Sequence, residues 1–254
     1  MTGSGPSGRG VLVTGASRGM GAAVARAFAA AGDRVAVHYA HREDAARDVL
    51  AGLAGSGHVL AAADLRDPAA TRVMVDAAAD RLGGLAVLVN NAVVFVAHPP
   101  LGTSYEDWQA AWADTLAVNL VGAANVTWCA VRHMPASGGR VVNVASRGAF
   151  RGEPDQPAYG ASKAGLVAFA QSMARALGPV GIAVSTVAPG FTDTDMAAPA
   201  LAGDGAARRA GESPLGRIAR PQEVAAAVLD LASADAEMAS GTVLDVNGAS
   251  YLRI

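Results

Sequence analysis

Residues 11–21 read Val11-Leu12-Val13-Thr14-Gly15-Ala16-Ser17-Arg18-Gly19-Met20-Gly21, an apolar run that passes at once into a glycine-spaced turn. The run has the length and branching of a buried strand, and the residues from Gly19 onward take up the period of a helix, so the glycines mark a strand-to-helix turn. Glycine lets a backbone turn tightly and approach a pyrophosphate, whose charge is stabilised by the free N–H groups at a helix start. The spacing is G-x-x-x-G-x-G rather than the commoner G-x-G-x-x-G, so the general dinucleotide fingerprint is met in part. Its place at the first strand–helix turn favours phosphate binding over a purely structural turn, because ligands of such sheets sit at the carboxyl ends of the strands.

Outward from this turn the same alternation continues. Val35-Ala36-Val37, Val59 to Ala63, Val87-Leu88-Val89, Val141 to Val144, Ile182 to Val187 and Val243-Leu244 read as further strands. Helical patterns lie near 19–31, 43–54, 68–82, 104–130, 157–178 and 221–233. Continuous apolar strands separated by helices predict an α/β fold, a doubly wound seven-stranded parallel sheet with helices on both faces. No internal repeat or mid-chain linker divides it, and a single domain over 10–254 is expected, preceded by a flexible tail over 1–9. Residues 191–220 follow neither period and form either a lid over a substrate or a plain surface loop.

Composition limits the partners. The 254 residues carry 20 basic and 22 acidic side chains, for a net charge of −2, and 52% of the chain is hydrophobic. That balance gives no footprint for a nucleic acid or an anionic membrane and leaves a small molecule as the expected partner. Met1 to Arg9 has no apolar signal core, and no window approaches about 18 uninterrupted apolar residues, so a cytoplasmic protein is expected. Cys129 is the sole cysteine, and His38, His41, His58, His98 and His133 show no metal-ligand spacing with it or with one another, so no metal site is expected.

The end of the second strand bears on the cofactor. NAD sites there commonly place a carboxylate on the ribose 2′-hydroxyl, whereas this chain has Tyr39, followed by Ala40-His41-Arg42. Without that acid a 2′-phosphate meets no repulsion, and Arg18 and Arg42 can pair with it, so NADP(H) is favoured over NAD(H).

A second group of residues carries chemistry. Gly139 to Ser146 is a strand that ends on a serine, and Tyr159 follows thirteen positions later in Tyr159-Gly160-Ala161-Ser162-Lys163. Tyr159 and Lys163 fall on one helical face. Alone such a pair is commonplace on solvated helices, but with a strand-end serine and a phosphate-binding turn it reads as a proton-delivery site. Arg147 and Arg151 read as solvated loop arginines, with an anionic substrate group as the alternative. Arg208-Arg209 reads as a solvated helix face, with an acidic carrier protein as the alternative partner, and Trp108, Trp112 and Trp128 as core or subunit interface.

Together these residues resemble the short-chain dehydrogenases/reductases in their single-domain form of about 250 residues, a Rossmann fold, over Thr14 to Gly248. The resemblance implies that Gly15, Ser17, Arg18, Gly19, Met20 and Gly21 hold the dinucleotide phosphates and that Asp64 and Leu65 contact its adenine. It implies that Asn91 and Ala92, of Asn90-Asn91-Ala92, lie beside the cofactor, and that Pro189, Gly190, Thr192 and Thr194 hold the nicotinamide carboxamide. It also implies a catalytic tetrad of Asn119, Ser146, Tyr159 and Lys163, in which Lys163 also binds the nicotinamide ribose and Asn119 positions a water. The family usually has glycine after Asn-Asn-Ala, where this chain has Val93, a change that bears on substrate shape. The implied function is hydride transfer between NADP(H) and a carbonyl or secondary alcohol. Wording near 189–196 and 240–248 is closest to the 3-oxoacyl-thioester reductases; a secondary-metabolite ketone is an equal candidate for the substrate. An NAD-dependent sugar or steroid dehydrogenase and a non-catalytic dinucleotide sensor remain as alternatives. Family habit implies a homo-oligomer, tetramer or dimer.

In this reading Tyr159 is the acid that protonates the developing alkoxide, with Lys163 lowering its pKa and Ser146 orienting the carbonyl.

Overall fold

The computed structural model of the chain describes residues 8–195 and 197–253. Its first half alternates β1 (Gly10–Val13), α1 (Gly19–Ala30), β2 (Arg34–Tyr39), α2 (Glu43–Ala51), β3 (Val59–Ala62), α3 (Pro68–Leu82) and β4 (Val87–Asn90). The second half runs through α4 (Tyr105–Leu116), α5 (Ala123–Ala130), β5 (Gly139–Val144), α6 (Gly148–Arg151) and α7 (Pro157–Leu177). It ends with β6 (Ile182–Pro189), α8 (Ala198–Leu201), α9 (Gly205–Gly211), α10 (Pro221–Leu231) and β7 (Val243–Val246).

All seven strands join one parallel sheet in the order β3-β2-β1-β4-β5-β6-β7. The order reverses between β1 and β4, and the crevice at such a reversal is where doubly wound sheets take ligands. Successive side chains alternate between two cores. Val11 and Val13 pack with Val35, Val37 and Val89 under Phe28 of α1 and Val228 of α10. Leu12 packs with Ala36 and Leu88 under Met74 and Leu82 of α3 and Val126 of α5. Both faces of the central strands are covered, so those strands are mostly apolar.

Helix ends follow local chemistry. Asp67 caps α3 by accepting from the N–H groups of Ala69 and Ala70 at 2.8 and 3.0 Å, and Gly83 closes it in the left-handed conformation. The expected helix over 104–130 is interrupted by a π-helical turn at Ala117–Gly122, which carries Asn119. Such insertions are invisible to hydrophobic period and often mark functional positions. The region 191–220 is more ordered than its composition predicts: it holds α8 and α9, and a parallel bridge joins Thr192 to Ala219.

The expected tail over 1–9 lies outside the described residues as far as residue 7, but Arg9 is not part of any loose segment. Its backbone N–H and its guanidinium donate to the Asp33 carboxylate, Nη1 donates to the Ala232 carbonyl at 2.6 Å, and its charge lies over the Phe28 ring. A buried carboxylate needs such a partner.

Candidate active site

The crevice beside the β1/β4 reversal is a cleft of about 370 Å³. Gly15, Ser17, Arg18, Gly19, Met20 and Gly21 line one side, and Tyr39 and Arg42, at the end of β2, border it. Asp64 and Leu65 close the far end, and Asn91, Ala92 and Thr194 the near one. Two glycines are required by close approach. A Cβ on Gly21 would stand 2.2 Å from the Gly15 carbonyl oxygen, and one on Gly15 would stand 2.7 Å from the Ala92 Cα in a backbone already at φ +63°. No side chain caps the start of α1, so its first N–H groups are open to an anion. Glycine approach, open helix start and cleft size together fit a dinucleotide.

Buried neutral hydrogen bonds fix this loop. Thr14 Oγ1 accepts from the N–H groups of Asn91 and Ala92 at 2.9 and 3.0 Å, and Asn91 Nδ2 donates back to the carbonyls of Thr14 and Gly15. The Asn91 amide therefore acts on the loop itself. His38, weighed in the sequence only as a metal ligand, accepts from the Gly15 N–H at Nδ1 (2.9 Å) while Nε2 meets the Ala63 carbonyl (3.1 Å), an arrangement that requires neutral imidazole with its proton on Nε2. Burial pushes its pKa down to about 4. A polar residue inside the apolar strand Val35-Ala36-Val37-His38 was the signal that it must find buried partners.

At the far end the Asp64 carboxylate is gripped by Arg66, whose hydrogen bonds hold its pKa at about 2. Arg66 also donates to Asp114 at 2.7 Å, which joins the end of β3 to α4. The acid expected beside adenine is thus already paired.

Ser146, Tyr159 and Lys163 meet beyond the carboxyl end of β5. Ser146 follows that strand and is buried, its Oγ accepting from the Gly148 N–H at 3.0 Å. Lys163, 2% exposed, donates to the Val144 carbonyl at 2.7 Å, with Nζ 5.8 Å from the Tyr159 ring centroid. Burial lowers the Lys163 pKa to about 7. The Tyr159 hydroxyl is pushed up to about 12, chiefly by burial, with the Ser146 hydroxyl pulling the other way. The Lys163 Nζ is partnered with the Val144 carbonyl, and desolvation is the largest cause at both side chains.

Asn119 acts on a neighbouring strand of backbone. Its Oδ1 accepts from the Val94 N–H at 2.8 Å, and Nδ2 donates to the Val94 carbonyl and to Ser162 Oγ at 3.0 and 3.1 Å. Both amide donors are used, so this side chain clamps the segment after β4. The segment's other end is held by His98, also missed. Its Nδ1 meets the Val96 carbonyl at 2.8 Å, its Nε2 accepts from the Ala158 N–H at 3.1 Å, and its own N–H donates to the Asp155 carbonyl. His98 thereby caps the start of α7 one residue before Tyr159. Between the two clamps, the Phe95 ring meets the Tyr159 ring edge-on at 4.8 Å. Nothing local in the sequence links positions 98 and 158.

A second cavity of about 400 Å³ opens over Ser146 and Tyr159 and shares Met20 and Thr194 with the dinucleotide cleft. Gly190 and Thr192 line it, and Pro189 ends β6 beneath, its carbonyl accepting from the Arg147 N–H at 2.9 Å. Arg147 is not a solvated loop residue: it is 3% exposed and pairs with Glu212, which also accepts from Arg209 at 2.6 Å. Of the tryptophans, Trp128 is half exposed beneath the Arg132 guanidinium, whereas Trp108 packs against Trp112 and His98.

A glycine-lined cleft that adjoins a cavity over Ser146 and Tyr159, with buried Lys163 close by, is the arrangement expected of a nicotinamide-dependent oxidoreductase. The family model described as Enoyl-(Acyl carrier protein) reductase matches residues 15–249. The chain is 38% identical over 240 residues to cis-4-hydroxycyclohexanecarboxylate dehydrogenase of Sinomonas cyclohexanicum, covering 93% of this chain and 94% of that protein. It is 35% identical over 246 residues to a 3-oxoacyl-acyl-carrier-protein reductase of Vibrio cholerae, covering 96% and 98%. A short-chain dehydrogenase from Burkholderia cenocepacia J2315, solved in complex with NADP, superposes with a TM-score of 0.87 at 37% identity, covering 96% and 98% of the two chains. The chain belongs to the short-chain dehydrogenase/reductase family.

Proposed function

We infer that the protein is an NADPH-dependent ketoreductase of small molecules. The observation that carries this reading is that Ser146 and Tyr159 line a cavity sharing Met20 and Thr194 with the glycine-lined cleft, with the Lys163 Nζ behind them 5.8 Å from the Tyr159 ring centroid. NADPH bound in that cleft supplies a hydride to the carbonyl carbon. Tyr159 donates its proton to the carbonyl oxygen as the carbon–oxygen π bond breaks, which yields a secondary alcohol. With a pKa raised by burial, the phenol holds its proton at neutral pH, as reduction requires. Ser146 orients the oxygen. Lys163 would leave the Val144 carbonyl to bind a ribose hydroxyl and to stabilise the phenolate left behind. Asn119 and His98 hold the wall that sets the tyrosine. Tyr39 in place of an acid, with Arg18 and Arg42 at the cleft, supports NADP(H) over NAD(H). Residues 191–220 are assigned as the lid, and the enzyme as a cytoplasmic homo-oligomer.

The test is NADPH oxidation against a panel of ketones that includes a 3-oxoacyl thioester and 4-oxocyclohexanecarboxylate, after the two relatives. Tyr159→Phe should lose about 10²- to 10⁴-fold in kcat/KM while still binding NADPH. Undiminished turnover in that variant, or equal use of NADH, would overturn the respective part of the reading.

A further inference from the structure

The cavity over Ser146 and Tyr159 is strongly biased in charge. Arg147, Arg151, Arg208 and Arg209 line it, against Glu153 and Asp155 on the same wall and Glu212 behind it. The arginines are not equally engaged. Arg147 and Arg209 are committed to Glu212, one to each carboxylate oxygen. Burial alone would raise the Glu212 pKa, but the two guanidiniums outweigh it and keep the group ionised. Arg151 stands 3.6 Å from both Glu153 and Glu212, beyond hydrogen-bond closure, and among the described residues Arg208 makes no ion pair. Each guanidinium carries five donors in a planar fork that matches a carboxylate. Met20, Phe95 beside Tyr159, and Phe191 give the remaining wall its apolar surface, interspersed with Gln156, Thr192 and Thr194.

We propose that the substrate is a ketone that carries its own carboxylate, the carbonyl at Ser146 and Tyr159 and the carboxylate between Arg151 and Arg208. The assignment rests on the ketoreductase reading and adds its substrate class. Arg151 lies on the segment that follows Ser146 and Arg208 lies on α9, so the carboxylate bridges the fixed wall of the cavity to the lid. Binding the acid therefore orders the lid over the reacting carbonyl, whereas a neutral ketone of the same shape lacks that link. Glu153 and Asp155 limit the site to one negative charge: counting Glu212, four arginines face three acids.

The test pairs acids with their esters. 4-Oxocyclohexanecarboxylate and 4-oxopentanoate are each compared with the methyl ester, reading NADPH oxidation and, in the same samples, the thermal shift of the NADPH complex. The wild type should favour the acid about tenfold in kcat/KM, chiefly through KM, because a charge-assisted bidentate contact is lost in the ester. The acid-to-ester ratio should fall toward one in Arg208→Gln, an exposed position, and in Arg151→Gln. The preference should also shrink as salt is raised. A wild-type ratio near one, or a preference unmoved by both substitutions, overturns the proposal. Absence of turnover with every ketone breaks the ketoreductase reading instead, and the acid-over-ester thermal shift still decides this one.

Discussion

The two halves of the site are held by different forces. On the cofactor side the glycine loop is fixed by buried, neutral hydrogen bonds to backbone from Thr14, Asn91 and His38. On the substrate side α9 is tied to the sheet by ion pairs around Glu212, most of them partly exposed. Neutral bonds in a dry environment are costly to break and indifferent to salt. Partly exposed ion pairs contribute little and are screened. The glycine-loop half is therefore a rigid cradle, and α9 a more weakly held element.

The largest expected break in this contrast is Gly21→Ala. The added methyl would meet the Gly15 carbonyl and the Asn91 amide at 2.2 and 2.5 Å, and one of them must move. Thermal or denaturant unfolding should register a loss of about 1–3 kcal/mol. NADPH-supported turnover should fall about a hundredfold, because the loop no longer sets the cofactor's position. A variant with wild-type NADPH affinity would show that the loop yields more easily than its packing allows.

Acid should act next. His38 has its pKa lowered from 6.5 to about 4, so the unfolded chain binds the extra proton first as pH falls. The stability that neutral His38 contributes is present above pH 6.5 and is lost through the window from 6.5 to about 4, by up to about 1.4 kcal/mol per pH unit. Thermal melts across that window should show a shallower acid slope in His38→Asn, which keeps an acceptor and does not titrate. Identical slopes would remove His38 from the account.

The smallest effect belongs to α9. Arg209→Gln removes one ion pair with Glu212 and a contact over the Phe191 ring at 4.3 Å. Amide exchange over 205–213 should quicken about fivefold, as expected for a loss near 1 kcal/mol, with residues 14–21 unchanged. Faster exchange in both regions would mean that the halves are coupled rather than separate.

Periodicity sufficed for the sheet and most of the helices, because strands buried on both faces and helices with one apolar stripe leave different repeats in a chain. It placed α3 to the residue and missed α6, α8 and α9, whose few turns are shorter than any period can register. The π-helical turn at Ala117–Gly122 was likewise hidden inside one long helical pattern. Motif spacing put Tyr159 and Lys163 on one helical face and Ser146 at a strand end, and in the structure Ser146 and Tyr159 line one cavity with Lys163 Nζ 5.8 Å from the Tyr159 ring centroid. It gave no warning of His98, whose partner Ala158 lies sixty residues away, or of the commitment of Arg147 to Glu212.

The sequence by itself determined the doubly wound sheet, the glycine turn and the identity of the polar residues at the strand ends, since these follow from local period and from backbone freedom at glycine. Only the tertiary structure decided which of those polar groups are free to act. Asn91, Asn119 and His38 turn inward to hold the chain and Asp64 is taken up by Arg66, while Arg151 and Arg208 line the cavity, Arg208 in no ion pair among the described residues. The physical reason is that a buried polar atom must find a partner wherever the fold brings one within about 3 Å, and that partner is set by the packing of distant elements, not by neighbours in the chain.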